Sequence, residues 1–308
     1  MNRLLQYVDI SDEIVEAIDK NIPVVALETT VISHGMPYPQ NLEAALECEA
    51  IIRGLGAVPA TLAVINGRIK IGLSDDQIRF MATQNNIVKM SRRDLPIVVS
   101  NQLNGATTVA TSILIANMAG IKILVTGGIG GVHRNAQQTF DISRDMQEIA
   151  TNDICVICSG AKAILDIGLT LEYLETFGVP VLGYKTDEMP AFYSTQSGFK
   201  LDYRLDTPED IGRTIKTKWD LGLDGGVLVT NPIPEEFNME KADIDKAIEI
   251  ALQESENSHI QGRDTTPFLL EKVIEATNGR SLLANIALLK NNVKLGTLVA
   301  KELYRVDY

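Results

Sequence analysis

Two side chains in this sequence lie where residue type and position together could support catalysis. Glu28 ends the apolar run Pro23–Leu27, and Lys162 closely follows the apolar run Ile154–Cys158. A carboxyl group at the end of a strand is a candidate general acid or base. A lysine is a nucleophile only when neutral, and about 0.04% of a free lysine is neutral at pH 7, so burial or a nearby cation must lower its pKa. The plainer alternatives are a solvated edge carboxylate and, favoured by the local sequence alone, a surface lysine on the first turn of a helix.

A stretch rich in small and hydroxyl residues could bind a phosphate. The segment from Asn104 reads NGATTVATS and opens a helix predicted over residues 105–118. Free main-chain N–H groups at the start of a helix attract anions, although ordinary N-capping explains this segment slightly better. Lys89 could add a cation, either as a phosphate contact or as the charge that lowers the pKa of Lys162.

Two carboxylates four positions apart could hold a cation. Asp141 and Asp145 fall on the first turn of a helix predicted over residues 141–149, with Ser143 and Arg144 between them. Carboxylates at a helix N-terminus complement the helix dipole, which is the purely structural explanation. The functional explanation is that one carboxylate holds Mg²⁺ or Mn²⁺ together with water, while the other contacts a polar substrate.

The glycine-rich segment GGIGG from Gly127 does not match a nucleotide-binding motif. A G-x-G-x-x-G pattern starting at Gly128 would need glycine where the chain has His133, and no Walker A sequence occurs. A kinase or ATPase is therefore disfavoured. The segment indicates either a tight turn after a strand or a close approach of the main chain to a ligand.

These residues lie in a chain that alternates strands with helices, which predicts a three-layer α/β/α sandwich with a mixed, mostly parallel sheet. Asn66-Gly67 between two apolar runs predicts a hairpin, so part of the sheet should be antiparallel. Lys162 is predicted to lie on a helix. The other predicted strands cover residues 23–27, 61–65, 68–71, 121–125, 154–158, 179–182 and 227–229, and further helices are predicted over residues 41–55, 75–81, 242–254, 267–276, 282–289 and from 208 onward.

The composition is that of a globular protein and argues against a nucleic-acid polymer as partner. The 308 residues are 45% hydrophobic and carry a formal net charge of −12, which repels phosphate backbones. No linker or repeat divides the chain, so we expect a single domain over residues 1–308. Three cysteines, too few for a disulfide framework, and an N-terminus without a long apolar run favour a cytoplasmic protein with no membrane partner.

Long segments of the chain resemble the pseudouridine-5′-phosphate glycosidase family, also called indigoidine synthase A-like. The resemblance covers nearly the whole chain, and runs of this length make a chance match implausible. It is carried by ALETTVISHGMPYPQN from Ala26, PATLAVINGRIKIGL from Pro59, SNQLNGATTVATS from Ser100, VTGGIGGVHR from Val125, TFDISRD from Thr139, CSGAKAILDIGLTLEYLETFGVPVLGY from Cys158 and SLLANIALLKNN from Ser281.

The resemblance implies an activity and a role for individual residues. Members of this family reversibly split pseudouridine 5′-phosphate into ribose 5-phosphate and uracil with a divalent metal, usually Mn²⁺, and are typically homotrimers. By this resemblance Lys162 forms a Schiff base with the sugar, Glu28 donates a proton, and Asp141 carries the metal, largely through water. The implied substrate contacts are Lys89, Val109 through its main chain, Ser143, Arg144, Asp145 and, as a further active-site residue, Asn285.

The substrate gives this mechanism a chemical reason. Ordinary glycosidases protonate a leaving oxygen, whereas pseudouridine is joined by a carbon–carbon bond, so the leaving carbon of uracil must receive the proton. A lysine that opens the ribose ring and forms an iminium at C1′ would activate the sugar for this cleavage. Two alternatives stay open, namely a Schiff-base aldolase or lyase acting on another ribose phosphate, and a non-catalytic protein that binds sugar phosphates.

Overall fold

A computed structural model describes residues 6–258, 260, 262 and 265–305. It confirms the predicted α/β/α fold, with helices covering a mixed, mostly parallel sheet. The strands are β1 (Val8–Ile10), β2 (Val24–Leu27), β3 (Val58–Ile65), β4 (Arg68–Ile71), β5 (Val88–Met90), β6 (Gly105–Thr107), β7 (Ile123–Val125), β8 (Val132–His133), β9 (Cys155–Cys158), β10 (Leu165–Asp166), β11 (Val181–Tyr184), β12 (Tyr203–Leu205) and β13 (Val227–Thr230). The helices are α1 (Asp12–Asp19), α2 (Thr30–Ser33), α3 (Gln40–Gly54), α4 (Asp75–Thr83), α5 (Leu95–Ser100), α6 (Val109–Met118), α7 (Ala136–Thr139), α8 (Arg144–Thr151), α9 (Ile167–Thr176), α10 (Pro208–Asp220), α11 (Lys241–Asn257), α12 (Thr265–Ala276) and α13 (Arg280–Arg305).

The main sheet places the ends of its central strands along one edge. Within the described residues its strand order is β1-β4-β3-β2-β7-β9-β13-β11-β12, and every neighbouring pair from β3 to β12 in that order is parallel. The central strands β2, β7, β9 and β13 are almost entirely apolar because both of their faces are buried. The residues that follow these four strands, and therefore share one edge, are Glu28, Thr126, Ser159 and Asn231.

The antiparallel part of the sheet forms around β3. The predicted hairpin joins β3 to β4, and both Asn66 (φ 49°) and Gly67 (φ 72°) have a left-handed backbone, as a two-residue type I′ turn requires. β3 also pairs with β6, which in turn pairs with β5. This branch brings Lys89 of β5 beside the segment that leads into α6.

The helix predicted over residues 105–118 starts later than expected. Gly105–Thr107 is β6, and α6 begins at Val109 after Thr108, whose side chain caps it. Gly105 packs closely against β5, because a Cβ atom there would lie 2.9 Å from the sulfur of Met90. Pairing with β3 and β5 therefore outweighs the small, helix-like residues of this segment.

The predicted first turn of the helix over residues 141–149 is also wrong. α8 starts at Arg144, and its N-cap is Ser143, whose hydroxyl accepts from the main-chain N–H of Asp145 at 3.2 Å. Asp141 precedes the helix. Ser143, two residues after Asp141, provides the cap. Of the two aspartates, only Asp145 therefore lies on the first turn and complements the helix dipole.

Lys162 lies on a loop, so its predicted placement on a helix is wrong as well. The chain turns at Gly160, whose φ is 85°, and Ala161 forms an isolated parallel bridge with Ile129. The N–H of Lys162 donates to the main-chain oxygen of Ile129 at 3.1 Å. These contacts replace helical hydrogen bonds, and the next helix, α9, begins only after its N-cap Asp166.

The long helix α13 crosses β2, β7 and β9. Gly296 allows a close approach there, because a Cβ atom at this position would lie 2.3 Å from the side chain of Val125. In the described part of the chain, no helix combines the length and the apolar character needed to cross a lipid bilayer.

Asn292 of α13 is fully buried and ties three strand ends together. Its amide nitrogen donates to the main-chain oxygen of Thr126 at 2.9 Å and to the hydroxyl of Ser159 at 3.1 Å. Its amide oxygen accepts from the side chain of Asn231 at 3.1 Å. One side chain therefore links the ends of β7, β9 and β13.

We expect Asn292→Ala to lower the free energy of unfolding by about 3 kcal/mol, because several buried polar groups lose their partner at once. The neighbouring Asn291 donates a single hydrogen bond, to the main-chain oxygen of Pro232 at 3.0 Å. Asn291→Ala should therefore cost only about 1 kcal/mol. Urea denaturation followed by circular dichroism measures both values, and equal losses would contradict the central role of Asn292.

Candidate active site

A cleft of about 660 Å³ opens at the edge where the central strands end. It is lined by segments from distant parts of the sequence, between Glu28 and Thr266. All but one of the predicted site residues line it, namely Glu28, Lys89, Val109, Asp141, Ser143, Arg144, Asp145 and Lys162. The exception is Asn285, which lines a smaller recess next to it.

Glu28 is a buried carboxyl group in this cleft. Only 6% of its surface is exposed, and its carboxylate accepts a hydrogen bond from the hydroxyl of Thr126. Burial raises the pKa of Glu28 above its ordinary value, and the positive charge of Lys162 and the Thr126 hydroxyl offset that rise only in part. Glu28 can therefore keep a proton at a pH where an exposed glutamate has lost it, as a proton donor requires.

Lys162 reaches the cleft from a tightly held loop. Gly160 has no room for a side chain, because a Cβ atom there would lie 2.1 Å from the main-chain oxygen of Pro190. The half-buried Lys162 side chain lies close enough to Glu28 for its charge to act on that carboxyl. The loop therefore places the Lys162 amine beside the buried carboxyl group of Glu28, which follows β2.

Asp145 links two of the segments that form the cleft. One carboxylate oxygen accepts from the main-chain N–H of Ala110 at 2.8 Å, and the other accepts from the N–H of Gly130 at 2.8 Å. Gly130 must be glycine for this packing, because a Cβ atom there would lie 2.2 Å from the hydroxyl oxygen of Ser143. Asp145 thus holds the start of α6 against the glycine-rich loop. Its side chain forms part of the cleft wall.

One end of the cleft is suited to an anion. The N-termini of α6 and α8 meet there, with Lys89 and Arg144 beside them. The side chain of Val109 is buried, so only its main chain can face a ligand, and its N–H has no acceptor within the described residues. This agrees with a contact made through the main chain of that residue.

Asn285 lies behind Glu28 and Lys162. It is buried on α13 and lines a recess together with Glu28, Lys162, Gly128 and Phe192. Its amide oxygen has no hydrogen-bond partner in the described part of the protein. A buried acceptor without a partner is costly, so a ligand N–H group in the recess would satisfy it.

Asp141 lies at the rim of the cleft with 46% of its side chain exposed, and its carboxylate is 3.8 Å from Nδ1 of His133. Burial lowers the pKa of His133, although the charge of Asp141 opposes this shift. The lowered pKa favours the neutral imidazole, which is the form that can bind a metal ion. Among the described residues, no three His, Cys, Asp or Glu side chains are grouped as a metal site. One carboxylate with one imidazole nearby fits a Mn²⁺ or Mg²⁺ ion that keeps most of its water.

Sequence reasoning missed several residues that line the cleft or support it. Thr126 directly follows β7, so the rule that selected Glu28 at the end of β2 could have selected it too. Arg92 lies three positions after Lys89, and this basic run could have marked a second cation in the cleft. No local signal distinguishes Asn292, because its partners lie in remote parts of the sequence.

Comparison with known proteins identifies the family. The family model described as indigoidine synthase A like protein matches residues 13–302. This chain belongs to that family. Proteins named pseudouridine-5′-phosphate glycosidase from Caldanaerobacter subterraneus subsp. tengcongensis and from Petrotoga mobilis are 55% and 56% identical to it, over 306 and 296 residues. These matches cover 99% of both chains in the first case, and 96% of this chain and 97% of the relative in the second.

Two solved structures have the same fold as this chain. The prealnumycin C-glycosynthase AlnA, crystallised in complex with ribulose 5-phosphate, superposes with a TM-score of 0.89 at 37% identity, covering 97% of this chain and 98% of AlnA. An indigoidine synthase A-like protein from Thermotoga maritima gives a TM-score of 0.89 at 35% identity, covering 97% of each chain.

We expect Glu28→Gln to make the protein more stable near neutral pH. The unfolded chain releases the Glu28 proton near the ordinary pKa of 4.5, whereas burial keeps the proton on the folded protein to a higher pH. The free energy of unfolding of the wild type therefore falls relative to that of the variant as the pH rises above 4.5. At a pH well below 4.5 the pH-dependent part of this difference vanishes. Chemical unfolding across this range measures the effect, and a variant whose stability relative to wild type does not change with pH would contradict a raised pKa.

Proposed function

We propose that this protein reversibly cleaves the carbon–carbon glycosidic bond of pseudouridine 5′-phosphate, giving ribose 5-phosphate and uracil. The observation that carries the proposal is the pairing of the buried Glu28 with Lys162 in a cleft that has an anion-binding end. Support comes from relatives named pseudouridine-5′-phosphate glycosidase that are more than half identical over nearly the whole chain. The presence of ribulose 5-phosphate in the AlnA structure supports a sugar phosphate as ligand.

Lys162 acts first in the proposed reaction. Its neutral amine attacks C1′ of the ribose, so that a C1′–N bond forms while the C1′–O4′ bond breaks, and the proton released from nitrogen passes to O4′. Glu28 then protonates the uracil carbon that is bonded to C1′. The C1′–C5 bond breaks, uracil leaves, and the nitrogen lone pair completes an iminium at C1′.

Hydrolysis completes the cycle. Water adds to the iminium carbon, the C1′–N bond breaks, and ribose 5-phosphate leaves in its aldehyde form. The proton released in this step returns to Glu28 and restores the acid for the next turnover. Because the sequence is reversible, the same two residues can also join uracil to ribose 5-phosphate.

The remaining residues of the cleft bind and orient the substrate in this proposal. Lys89, the main-chain N–H of Val109 and the Ser143–Asp145 segment would hold the sugar phosphate, whose binding energy orients C1′ toward Lys162. The free amide oxygen of Asn285 would accept a hydrogen bond from a ring N–H of uracil in the recess. A divalent ion held at Asp141 through water would supply positive charge beside the bound phosphate.

Three broader parts of the proposal concern the whole protein. A cytoplasmic location is proposed because all three cysteines are free thiols, as is usual in a reducing compartment. A homotrimer is proposed from the family resemblance, and light scattering would test it. The single domain over residues 1–308 likewise stays a prediction, which limited proteolysis would test.

Borohydride reduction with ribose 5-phosphate should trap a covalent adduct on the peptide that contains Lys162, because an iminium is reduced to a stable amine. Lys162→Ala should give no adduct and lower kcat by at least about 1,000-fold while leaving the fold intact. Lys216→Ala removes a partly exposed lysine outside the cleft and is the matched control. Mass spectrometry reads the adduct, and its absence from the wild-type peptide would overturn the Schiff base.

Uracil release separates this function from its alternatives. An aldolase or lyase acting on another ribose phosphate would form the same lysine adduct without releasing uracil from pseudouridine 5′-phosphate. A protein that only binds sugar phosphates would show binding by calorimetry and no product with metal present. Chromatography of the products distinguishes the three cases.

Asp141→Ala should raise the Mn²⁺ concentration needed for half-maximal activity by about tenfold or more, because a single carboxylate orients the hydrated ion. Saturating Mn²⁺ should restore most of the activity. A metal titration of uracil release measures this change, and an unchanged midpoint would argue against Asp141 as the metal-carrying residue.

A further inference from the structure

A buried carboxylate stands directly behind the anion-binding end of the cleft. Glu148 of α8 is fully buried and contacts two arginines. Nη1 of Arg92 lies 2.9 and 3.0 Å from its two carboxylate oxygens, and Nε of Arg144 lies 2.7 Å from one of them. Asn152 adds a hydrogen bond of 3.1 Å from its side chain. The carboxylate is therefore saturated with donors and cannot itself take part in binding.

The two arginines divide their donors between Glu148 and the cleft. Both line the cleft, and their side chains are 52% and 40% exposed. Arg144 also donates through Nη1 to Gln147, whereas Nη2 of each guanidinium has no acceptor within the described residues. Each guanidinium is thus fixed on one side and keeps free donors on the other.

Their surroundings indicate which ligand these donors suit. The cleft is lined by five cationic side chains, Lys89, Arg92, Arg93, Arg144 and Lys162, on a chain whose formal net charge is −12. The N-termini of α6 and α8 open into the same space. Guanidinium groups match the oxygens of a phosphate in pairs, so this arrangement suits a phosphate dianion.

Stability of the fold alone does not explain why Glu148 is buried between Arg92 and Arg144. Burying a carboxylate between charges usually contributes little to stability compared with apolar packing, because the desolvation cost offsets the attraction. The buried charge does, however, fix the direction of two flexible side chains that would otherwise point into solvent. It therefore reduces the conformational entropy that the arginines lose when a ligand binds.

We propose that Glu148 is a positioning residue that holds Arg92 and Arg144 as a paired guanidinium receptor for the substrate's phosphate group. The inference rests on the proposed function in taking a ribose 5-phosphate ester as the ligand, and it adds Arg92 and Glu148 to the residues that select for the phosphate. Arg144 contacts the ligand directly, and Glu148 acts through the arginines.

The test compares phosphorylated and unphosphorylated ligands. Arg92→Ala and Glu148→Gln should each raise the Kd for ribose 5-phosphate about tenfold in calorimetry, because a charge-assisted contact is lost or misdirected. The Kd for ribose should not change. Glu49→Gln is the matched control, since Glu49 is another buried glutamate beside an arginine, Arg53, outside the cleft.

Kinetics separates positioning from a general loss of structure. For pseudouridine 5′-phosphate, both variants should raise KM about tenfold and leave kcat within about twofold, whereas kcat/KM for pseudouridine should stay near its wild-type value. Inorganic phosphate should also inhibit both variants more weakly than the wild type. Arg92→Lys, which keeps the charge without the paired donors, should recover only part of the affinity.

Equal losses for ribose and ribose 5-phosphate, or no loss for either, would overturn the proposal. If Glu148→Gln fails to fold, the half-exposed Arg92 decides the outcome through Arg92→Ala and Arg92→Lys. Absence of uracil release from the wild type would defeat the proposed function, while the binding comparison between ribose and ribose 5-phosphate would still decide the role of Arg92 and Glu148.

Discussion

Asn292 holds together the strand ends on which the cleft is built. Its amide group is buried on α13 and contacts Thr126, Ser159 and Asn231, which follow β7, β9 and β13. The loop after β7 leads to Gly130, and the loop after β9 leads to Lys162. Both loops that line the cleft are therefore anchored by α13, which is far from them in sequence.

The cleft places its charges at different depths. Glu28 lies deep, where burial raises its pKa, and Lys162 lies beside it. Asp145 is satisfied by two main-chain N–H groups, and Glu148 is satisfied by two arginines. Main-chain donors therefore compensate the charge of Asp145, and guanidinium groups compensate the charge of Glu148. A phosphate can enter although the protein as a whole is acidic.

The sequence predicts the central sheet well because its strands are short apolar runs with clear ends. The hairpin at Asn66-Gly67 and the burial of β2, β7 and β9 follow directly from local patterns. β6 could not be predicted, because Gly105–Thr107 becomes a strand only through its partners β3 and β5. The sequence predicts a helix at Lys162 because the loop depends on the turn at Gly160 and on a bridge to Ile129, which is remote in sequence.

The same distinction applies to the site. Glu28 and Lys162 could be selected from their position after a strand, and the resemblance to a family supplied their roles. Glu148 gives no comparable signal, because it resembles any other glutamate on an amphipathic helix until the fold brings Arg92 next to it. Contacts that join remote segments are invisible to local patterns, and the orientation of the cleft depends on them.

The start of α6 carries a further consequence for how such a site can change. The N–H group of Val109 belongs to the main chain, and its side chain points into the core. Any residue except proline would provide the same N–H donor. The side chain at this position is therefore determined by packing in the core and not by the ligand. A ligand contact made through the main chain tolerates substitution of the side chain. A search for reactive side chains would assign such a residue to the hydrophobic core.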